Sequence, residues 1–148
     1  MKKKLKLSLI VLVVISGGIF IWLKIYNAPE AIIKNSIKYE NSHDIDSLKK
    51  CYTSRLGVPY NTVENIKSKK IISISLVTEQ SLYDFYLNNS IEKYGDLTKD
   101  RVKIYSVNYK VEYEDDNKSP EDSGEYRKNY IVIKDSMTGS WKIDDIGE

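Results

Sequence analysis

Residues 105–113 read Tyr-Ser-Val-Asn-Tyr-Lys-Val-Glu-Tyr, and this stretch decides the fold class of the chain. Tyrosine and valine occupy every odd position, whereas serine, asparagine, lysine and glutamate occupy the even ones. Side chains alternate between the two faces of a β-strand, so the pattern predicts a strand with one buried and one solvated face. A sheet that is wetted on one side is typically antiparallel.

Three further segments have the pattern of strands. Apolar residues fall at both odd and even positions between residues 130 and 133, so the stretch 126–134 is predicted to be a central strand. A turn with Gly139 leads into a short strand at 141–146, which predicts a hairpin. After Lys69, three apolar residues alternate with two serines and are predicted to share one strand face; they are Ile72, Ile74 and Leu76.

Helical patterns precede and interrupt these strands. Pro29 and Glu30 suit the first turn of a helix, and an apolar stripe follows at helical spacing. A second amphipathic helix is predicted from Ile45 to Leu56, and a short third one at 60–66. A weaker helical pattern covers 81–94. The sequence therefore predicts an α+β domain with two or three helices packed on an antiparallel sheet.

The first 26 residues predict a transmembrane helix. The run 7–23 is apolar without interruption, and seventeen residues of helix span about 26 Å, the low end of what crosses a bilayer. A cleaved signal peptide and a soluble core helix are the alternatives, but no good cleavage site follows the run. The predicted division is a tail at 1–6, an anchor at 7–26 and a domain at 27–148.

Charge around this segment predicts its orientation. Four lysines precede the apolar run and Lys24 alone follows it directly, so the N-terminus is expected in the cytoplasm and the domain outside. The predicted location is therefore the cell membrane, crossed once. Setting aside the five lysines of this segment leaves 18 basic residues against 21 acidic ones, a net charge of −3. This balance gives no support to nucleic-acid binding. The scarcity of alanine suggests a low-GC Gram-positive bacterium.

The chain ends Gly139-Ser-Trp-Lys-Ile-Asp-Asp-Ile-Gly-Glu148, after helices and then strands. This order and the Gly-x-Trp-x-Ile strand resemble the nuclear-transport-factor-2-like, or cystatin-like cone, superfamily over residues 28–148. Within it the chain is most similar to uncharacterised Gram-positive families such as domain-of-unknown-function family 4829. The resemblance implies a curved, cone-like sheet. The superfamily includes isomerases, dehydratases and non-catalytic scaffolds, so the fold does not decide the function.

Five residues are candidates for lining a ligand pocket: Tyr105, Tyr109, Tyr113, Trp141 and Asp145. Alternation puts Asp145 on the face of Trp141, where burial could make it a general base. The competing interpretation is that Asp145 faces water at a strand end. The tyrosines could donate hydrogen bonds to an oxyanion, or could serve only as core residues with their hydroxyls at the rim.

No cofactor or metal is predicted. His43 is the only histidine and falls in a polar break between two helices, so a surface turn is the favoured interpretation. Cys51 is the only cysteine and is expected to be a small buried hydrophobe, with a reactive thiol as the alternative. The acids of the segment 114–125 could gather calcium, but their spacing does not match an EF-hand.

The predicted function is that of a membrane-anchored, non-catalytic domain that binds a small ligand or an envelope protein. Two alternatives stay open. One is a scaffold that resembles the cone-fold component of type IV secretion and conjugation machines. The other is a small isomerase or hydrolase that uses Asp145 with a tyrosine. The sequence specifies neither the ligand nor the oligomeric state.

Overall fold

A computed structural model describes residues 28–147 except Pro59 and Asp96. The helices are α1 (Pro29–Asn41), α2 (Ile45–Cys51), α3 (Tyr60–Glu64) and α4 (Gln80–Tyr94), and the strands are β1 (Ile66–Leu76), β2 (Val102–Tyr113), β3 (Gly124–Lys134) and β4 (Trp141–Gly147). None of the helices in these residues is long and apolar enough to span a membrane. The predicted anchor at 7–26 lies outside the described residues.

The four strands form one antiparallel sheet in the order β1-β2-β3-β4. The central position of β3 is confirmed, and the odd-numbered residues of 105–113 share one face of the sheet as predicted. The prediction that the other face is solvated was wrong in part, since Ser106 is 5% exposed. In the turn before β4, Gly139 has a φ of 68°, a conformation that glycine adopts without steric cost. The α+β prediction is confirmed, although the described residues contain four helices rather than two or three.

Helices cover both faces of the sheet. On the face we call inner, α1 and α2 pack on the odd-numbered residues of β2, including Val107 and Tyr109. On the face we call outer, Tyr83 and Tyr86 of α4 pack on a smaller apolar cluster that includes Ile104. The inner face also carries a pocket, which is lined in part by Glu40 of α1.

A β-bulge in β1 overturns one predicted strand face. An extra residue in β1 lies between the pairs Ile71–Tyr109 and Ser73–Asn108, and that residue is Ile72. Ile72 is 55% exposed, so the prediction that it shares a face with Ile74 and Leu76 was wrong. Leu76 does share the inner face with Ile74, because the two pair with Tyr105 and Val107, but it is 50% exposed at the end of the strand. A bulge inserts one residue and reverses the alternation beyond it.

The second helix is shorter than predicted. It ends at Cys51, because Tyr52 is extended and forms a parallel bridge with Ile143 of β4. The backbone N–H of Thr53 donates to the carbonyl of Ile143 at 2.9 Å. The prediction that this helix continues to Leu56 was therefore wrong: strand-like pairing outcompetes the helical pattern after Cys51.

Candidate ligand-binding site

A cavity of about 450 Å³ opens on the inner face of the sheet, within the size range of small-molecule sites. Its wall is largely aromatic and aliphatic, with four charged side chains. The apolar part of the wall includes Tyr52, Val63, Ile66, Tyr109, Tyr113 and Tyr130. We call this cavity the inner pocket.

A buried ion pair lies in the wall of the inner pocket. Glu40 is in the last turn of α1 on the side that faces the sheet, and Lys69 of β1 points to the same side because it pairs with Val111. Lys69 Nζ lies 2.9 Å from Glu40 Oε2, and the two side chains are only 10% and 6% exposed. Tyr52 donates its hydroxyl hydrogen to Glu40 Oε1 at 3.2 Å.

Aromatic rings surround the Lys69 ammonium. Its Nζ lies 4.5 Å from the centre of the Tyr109 ring, a distance that allows a cation–π interaction. Burial alone would lower the pKa of Lys69, but the Tyr130 phenol and the Glu40 carboxylate raise it well above its ordinary value. Burial also raises the pKa of Tyr109. At neutral pH Lys69 is therefore an ammonium and Tyr109 a protonated phenol.

A second ion pair contributes to the pocket wall. Lys128 Nζ of β3 lies 2.7 Å from Glu121 Oε1, which belongs to the loop between β2 and β3. Both side chains are partly exposed, at 17% and 32%. The two acids and two lysines of the wall cancel in charge, so the inner pocket presents fixed dipoles and no net charge.

The structure distributes the five predicted pocket residues over different places. Tyr109 and Tyr113 line the inner pocket. Tyr105 is buried in the inner-face core without lining the pocket, and Trp141 packs against that core. Asp145 lies on the outer face, because it pairs with Ile131 beyond a bulge at Asp144. The prediction that Asp145 shares a face with Trp141 was therefore wrong.

The acid that is buried in β4 is Asp144, which sequence reasoning missed. Asp144 is 1% exposed and accepts hydrogen bonds from four side chains. Thr53 Oγ1 donates at 2.7 Å, Arg55 Nη2 at 2.9 Å and the Tyr86 hydroxyl at 2.6 Å, and the Tyr94 hydroxyl donates as well. These donors come from α4 and from the segment after α2, so Asp144 joins both to the edge strand β4.

Electrostatics make Asp144 a poor base. Burial raises its pKa, but the hydrogen bonds from Arg55, Tyr86, Tyr94 and Thr53 lower it by more, so the pKa lies below the ordinary 3.8. A carboxylate whose acceptor sites are occupied and whose pKa is low does not take a proton readily. The geometry favours a structural role for this cluster.

Three candidates remain: His43, Cys51 and the acids of the loop after β2. His43 is in the exposed turn between α1 and α2, with Nε2 2.8 Å from the Ile66 carbonyl oxygen. Cys51 is buried. In the loop after β2, Asp115 accepts from Asn117 and Asp116 accepts from Ser123. Across the described part of the chain, no three acidic, histidine or cysteine side chains gather as metal ligands.

Comparison of the sequence with known protein families identifies the family of this chain. A model of the domain of unknown function DUF4829 matches residues 30–147. That match covers most of the chain, including all the described helices and strands except the first residue of α1. The protein therefore belongs to the DUF4829 family, as the sequence predicted. No curated protein sequence matches it. The resemblance to the cone superfamily stays a prediction.

Proposed function

We propose that this domain binds a small ligand in the inner pocket and does so without catalysing a reaction on it. The observation that carries the proposal is the buried pair of Glu40 and Lys69 in the wall of an open cavity. A buried ion pair adds little to stability compared with apolar residues of the same volume. Because the pair lies in the wall of a cavity, Glu40 and Lys69 can both form hydrogen bonds with a bound ligand.

The wall chemistry defines the ligand class. Tyrosine rings and aliphatic side chains suit an aromatic or branched apolar body. The charges of the wall cancel, so a ligand that carries a net charge would be desolvated without full compensation. The preferred ligand is therefore neutral or zwitterionic, with donors for Glu40 and acceptors for Lys69.

Binding is favoured over catalysis by the state of the acids. Glu40 is engaged by Lys69 and Tyr52, and Asp144 is engaged by four donors. The alternative in which Asp145 acts with a tyrosine requires the carboxylate and a phenol that is free for chemistry in one pocket. Asp145 shares a cavity on the outer face with Tyr86, but the Tyr86 hydroxyl donates to Asp144. Tyr109 and Tyr113 line the inner pocket instead.

The membrane location is part of the same proposal. We infer that residues 7–26 anchor the chain and that the domain faces outward, on the evidence of the apolar run and the lysines around it. A cone-like curvature, implied by the superfamily resemblance, would be consistent with a pocket on the inner face. An anchored domain of this kind would capture its ligand next to the membrane.

Ligand-detected NMR tests the proposal on residues 28–148. Phenylalanine, a zwitterion, is compared with 3-phenylpropionate, which has a similar body and carries one negative charge. Thr62→Trp places a large ring in the pocket wall, and Ser75→Trp on the exposed surface of β1 is the control. We expect phenylalanine to bind better and Thr62→Trp alone to abolish that binding. Binding that survives Thr62→Trp, or absence of binding, would overturn the proposal.

An envelope scaffold is a second candidate function, favoured by one observation. Strand β1 lies at the edge of the sheet and exposes Ile72 and Leu76, and an exposed edge strand can pair with another chain. Sedimentation of residues 28–148 distinguishes the two functions. Self-association that is lost in Ile72→Lys would favour the scaffold, whereas a monomer at high concentration would disfavour it.

A further inference from the structure

A second cavity, of about 290 Å³, lies on the outer face of the sheet, just below the usual range for drug-sized ligands. Helix α4 forms one side with Leu82 and Phe85, and the sheet forms the floor with Ile104 and Ile131. We call it the outer pocket. The sheet separates it from the inner pocket, so a ligand could occupy the outer pocket whether or not the inner pocket binds one.

The rim of the outer pocket carries one carboxylate, Asp145, whose neighbouring cation is shared with the buried Asp144 behind the rim. Asp145 lines the cavity with its side chain 47% exposed. Arg55 is the cation of this rim, but it makes its close ion pair with Asp144 at 2.9 Å and lies 3.7 Å from Asp145 Oδ2. One guanidinium therefore faces two carboxylates, and the sum of the three groups is −1.

The rim also offers acceptors. Asn89 and Ser90 of α4 and Asn129 of β3 line the cavity, and each has a side-chain oxygen that can accept a hydrogen bond. Phe85 is 71% exposed at the cavity, and the face of an aromatic ring attracts cations. An apolar floor with an anionic, acceptor-rich rim is complementary to a group that is apolar at one end and cationic at the other.

We propose that the outer pocket binds a small organic cation, namely a primary amine carried on a single aromatic or branched apolar group. The apolar group occupies the space between α4 and the floor formed by Ile104 and Ile131. The ammonium lies at the rim, where Asp145 balances its charge. The volume admits one ring with a short chain, which excludes a polyamine or a peptide segment as the whole ligand.

The cavity is held open in the folded protein by the Asp144 cluster. Tyr86 lines the outer pocket and donates its hydroxyl hydrogen to Asp144, and Tyr94 at the end of α4 donates to the same carboxylate. These two contacts fix α4 on the sheet at a distance that leaves the cavity between them. A preformed wall lowers the entropic cost of binding.

Amide NMR spectra of the full chain in phosphatidylcholine nanodiscs test the proposal. The probes are 2-phenylethylamine and 3-phenylpropionate. We expect 2-phenylethylamine to shift the amides of Asn89, Asn129 and Asp145 saturably, and 3-phenylpropionate to leave them unmoved at the same concentrations. The proposal would be overturned if 3-phenylpropionate shifted these amides saturably. It would also be overturned if 2-phenylethylamine caused no saturable shift of them.

Asp145→Asn removes the charge of the rim and keeps its shape and its acceptor oxygen. Asp46→Asn, at a 90% exposed side chain of α2, is the matched control. We expect Asp145→Asn to weaken binding of 2-phenylethylamine about fivefold, the upper end for a partly exposed ion pair, and Asp46→Asn to leave it unchanged. An equal affinity in wild type and Asp145→Asn would overturn the charge assignment and with it the proposal.

Discussion

Lys69 of β1 and Glu40 of α1 meet inside the inner pocket, with Nζ 2.9 Å from Oε2 and both side chains at most one-tenth exposed. Burying two charges costs solvation energy that their attraction repays only in part. Apolar residues at these two positions would hold α1 to β1 at least as well. The pair is therefore better explained by what it offers to a ligand in the cavity than by its contribution to folding.

This interpretation predicts a double-mutant pattern in stability. Lys69→Met alone leaves the Glu40 carboxylate buried without its partner and should lower the free energy of unfolding by about 3 kcal/mol. Glu40→Leu with Lys69→Met should return it to within about 1 kcal/mol of wild type, because no charge is left unpaired. Urea unfolding of residues 28–148 measures both. A double variant as unstable as the single one would show that the pair itself stabilises the fold.

Asp144, unlike the Glu40–Lys69 pair, should contribute directly to the stability of the fold. Asp144→Ala leaves Arg55, Tyr86 and Tyr94 without their acceptor. The free energy of unfolding should fall by about 3 kcal/mol. This value is the low end for breaking a buried ion pair, because Arg55 is one-third exposed. Asp145→Ala, at a half-exposed neighbour, should cost no more than about 0.5 kcal/mol. Urea unfolding of the two variants tests this contrast. Equal losses would contradict the assignment of Asp144 as the buried anchor.

The same carboxylate makes stability depend on pH. Its folded pKa lies below the unfolded value of 3.8, mainly because the donated hydrogen bonds outweigh the effect of burial. The stability that the Asp144 carboxylate contributes is complete above the unfolded pKa of 3.8. It is lost as the pH falls through the lower folded pKa, because the unfolded chain binds a proton that the folded chain does not. The stability difference between wild type and Asp144→Asn should therefore shrink when the pH is lowered to about 3. A difference that stays constant would be inconsistent with the lowered pKa.

Cys51 should be unreactive in the folded domain. The thiol is 2% exposed, and burial, helped by the nearby charge of Glu40, raises its pKa to about 11. Because the thiolate is the reactive form, modification by a disulfide reagent at neutral pH should be more than about a hundredfold slower than in urea. The chain has one cysteine, so the thiol assay reports this site alone. Similar rates in both states would show that the site opens freely.

The topology can be tested in cells. Protease added to intact, wall-stripped cells should degrade the chain after residue 27, because the lysines before the apolar run favour a cytoplasmic N-terminus. A cytoplasmic protein measured in the same cells controls for lysis. Full protection of the domain would place it inside. A mature protein shorter by about two dozen residues would indicate cleavage instead of anchoring.

Local patterns predicted the elements of this fold and two residues of the inner pocket, Tyr109 and Tyr113, but not the charged groups of the pocket wall. The alternation in 105–113 predicted β2 because apolar and polar residue types there alternate with the two faces of the strand. The bulges at Ile72 and Asp144 depend on pairing with another strand, so the residues themselves give no signal of them. The first bulge takes Ile72 itself off the predicted face, and the second moves Asp145, the residue after it, to the outer face.

The two polar clusters escaped prediction because their members are distant in sequence. Asp144 meets Arg55 across 89 positions and Tyr86 across 58. Lys69 stands in a run of lysines, where charge suggests a solvated surface, and only its pairing with Val111 turns it inward. Strict alternation from Ile72, Ile74 and Leu76 would place Lys69 on the polar face, and the bulge at Ile72 reverses this, so the sequence carries no signal of the ion pair.

The most direct test of the proposed function is the affinity of phenylalanine for wild type and for the Glu40→Leu, Lys69→Met double variant, both as residues 28–148. NMR titration under conditions where both proteins are fully folded gives the two dissociation constants. Binding through the buried pair predicts a loss of at least about tenfold in the double variant, as expected when hydrogen bonds to charged groups are removed. An unchanged dissociation constant would contradict recognition by Glu40 and Lys69.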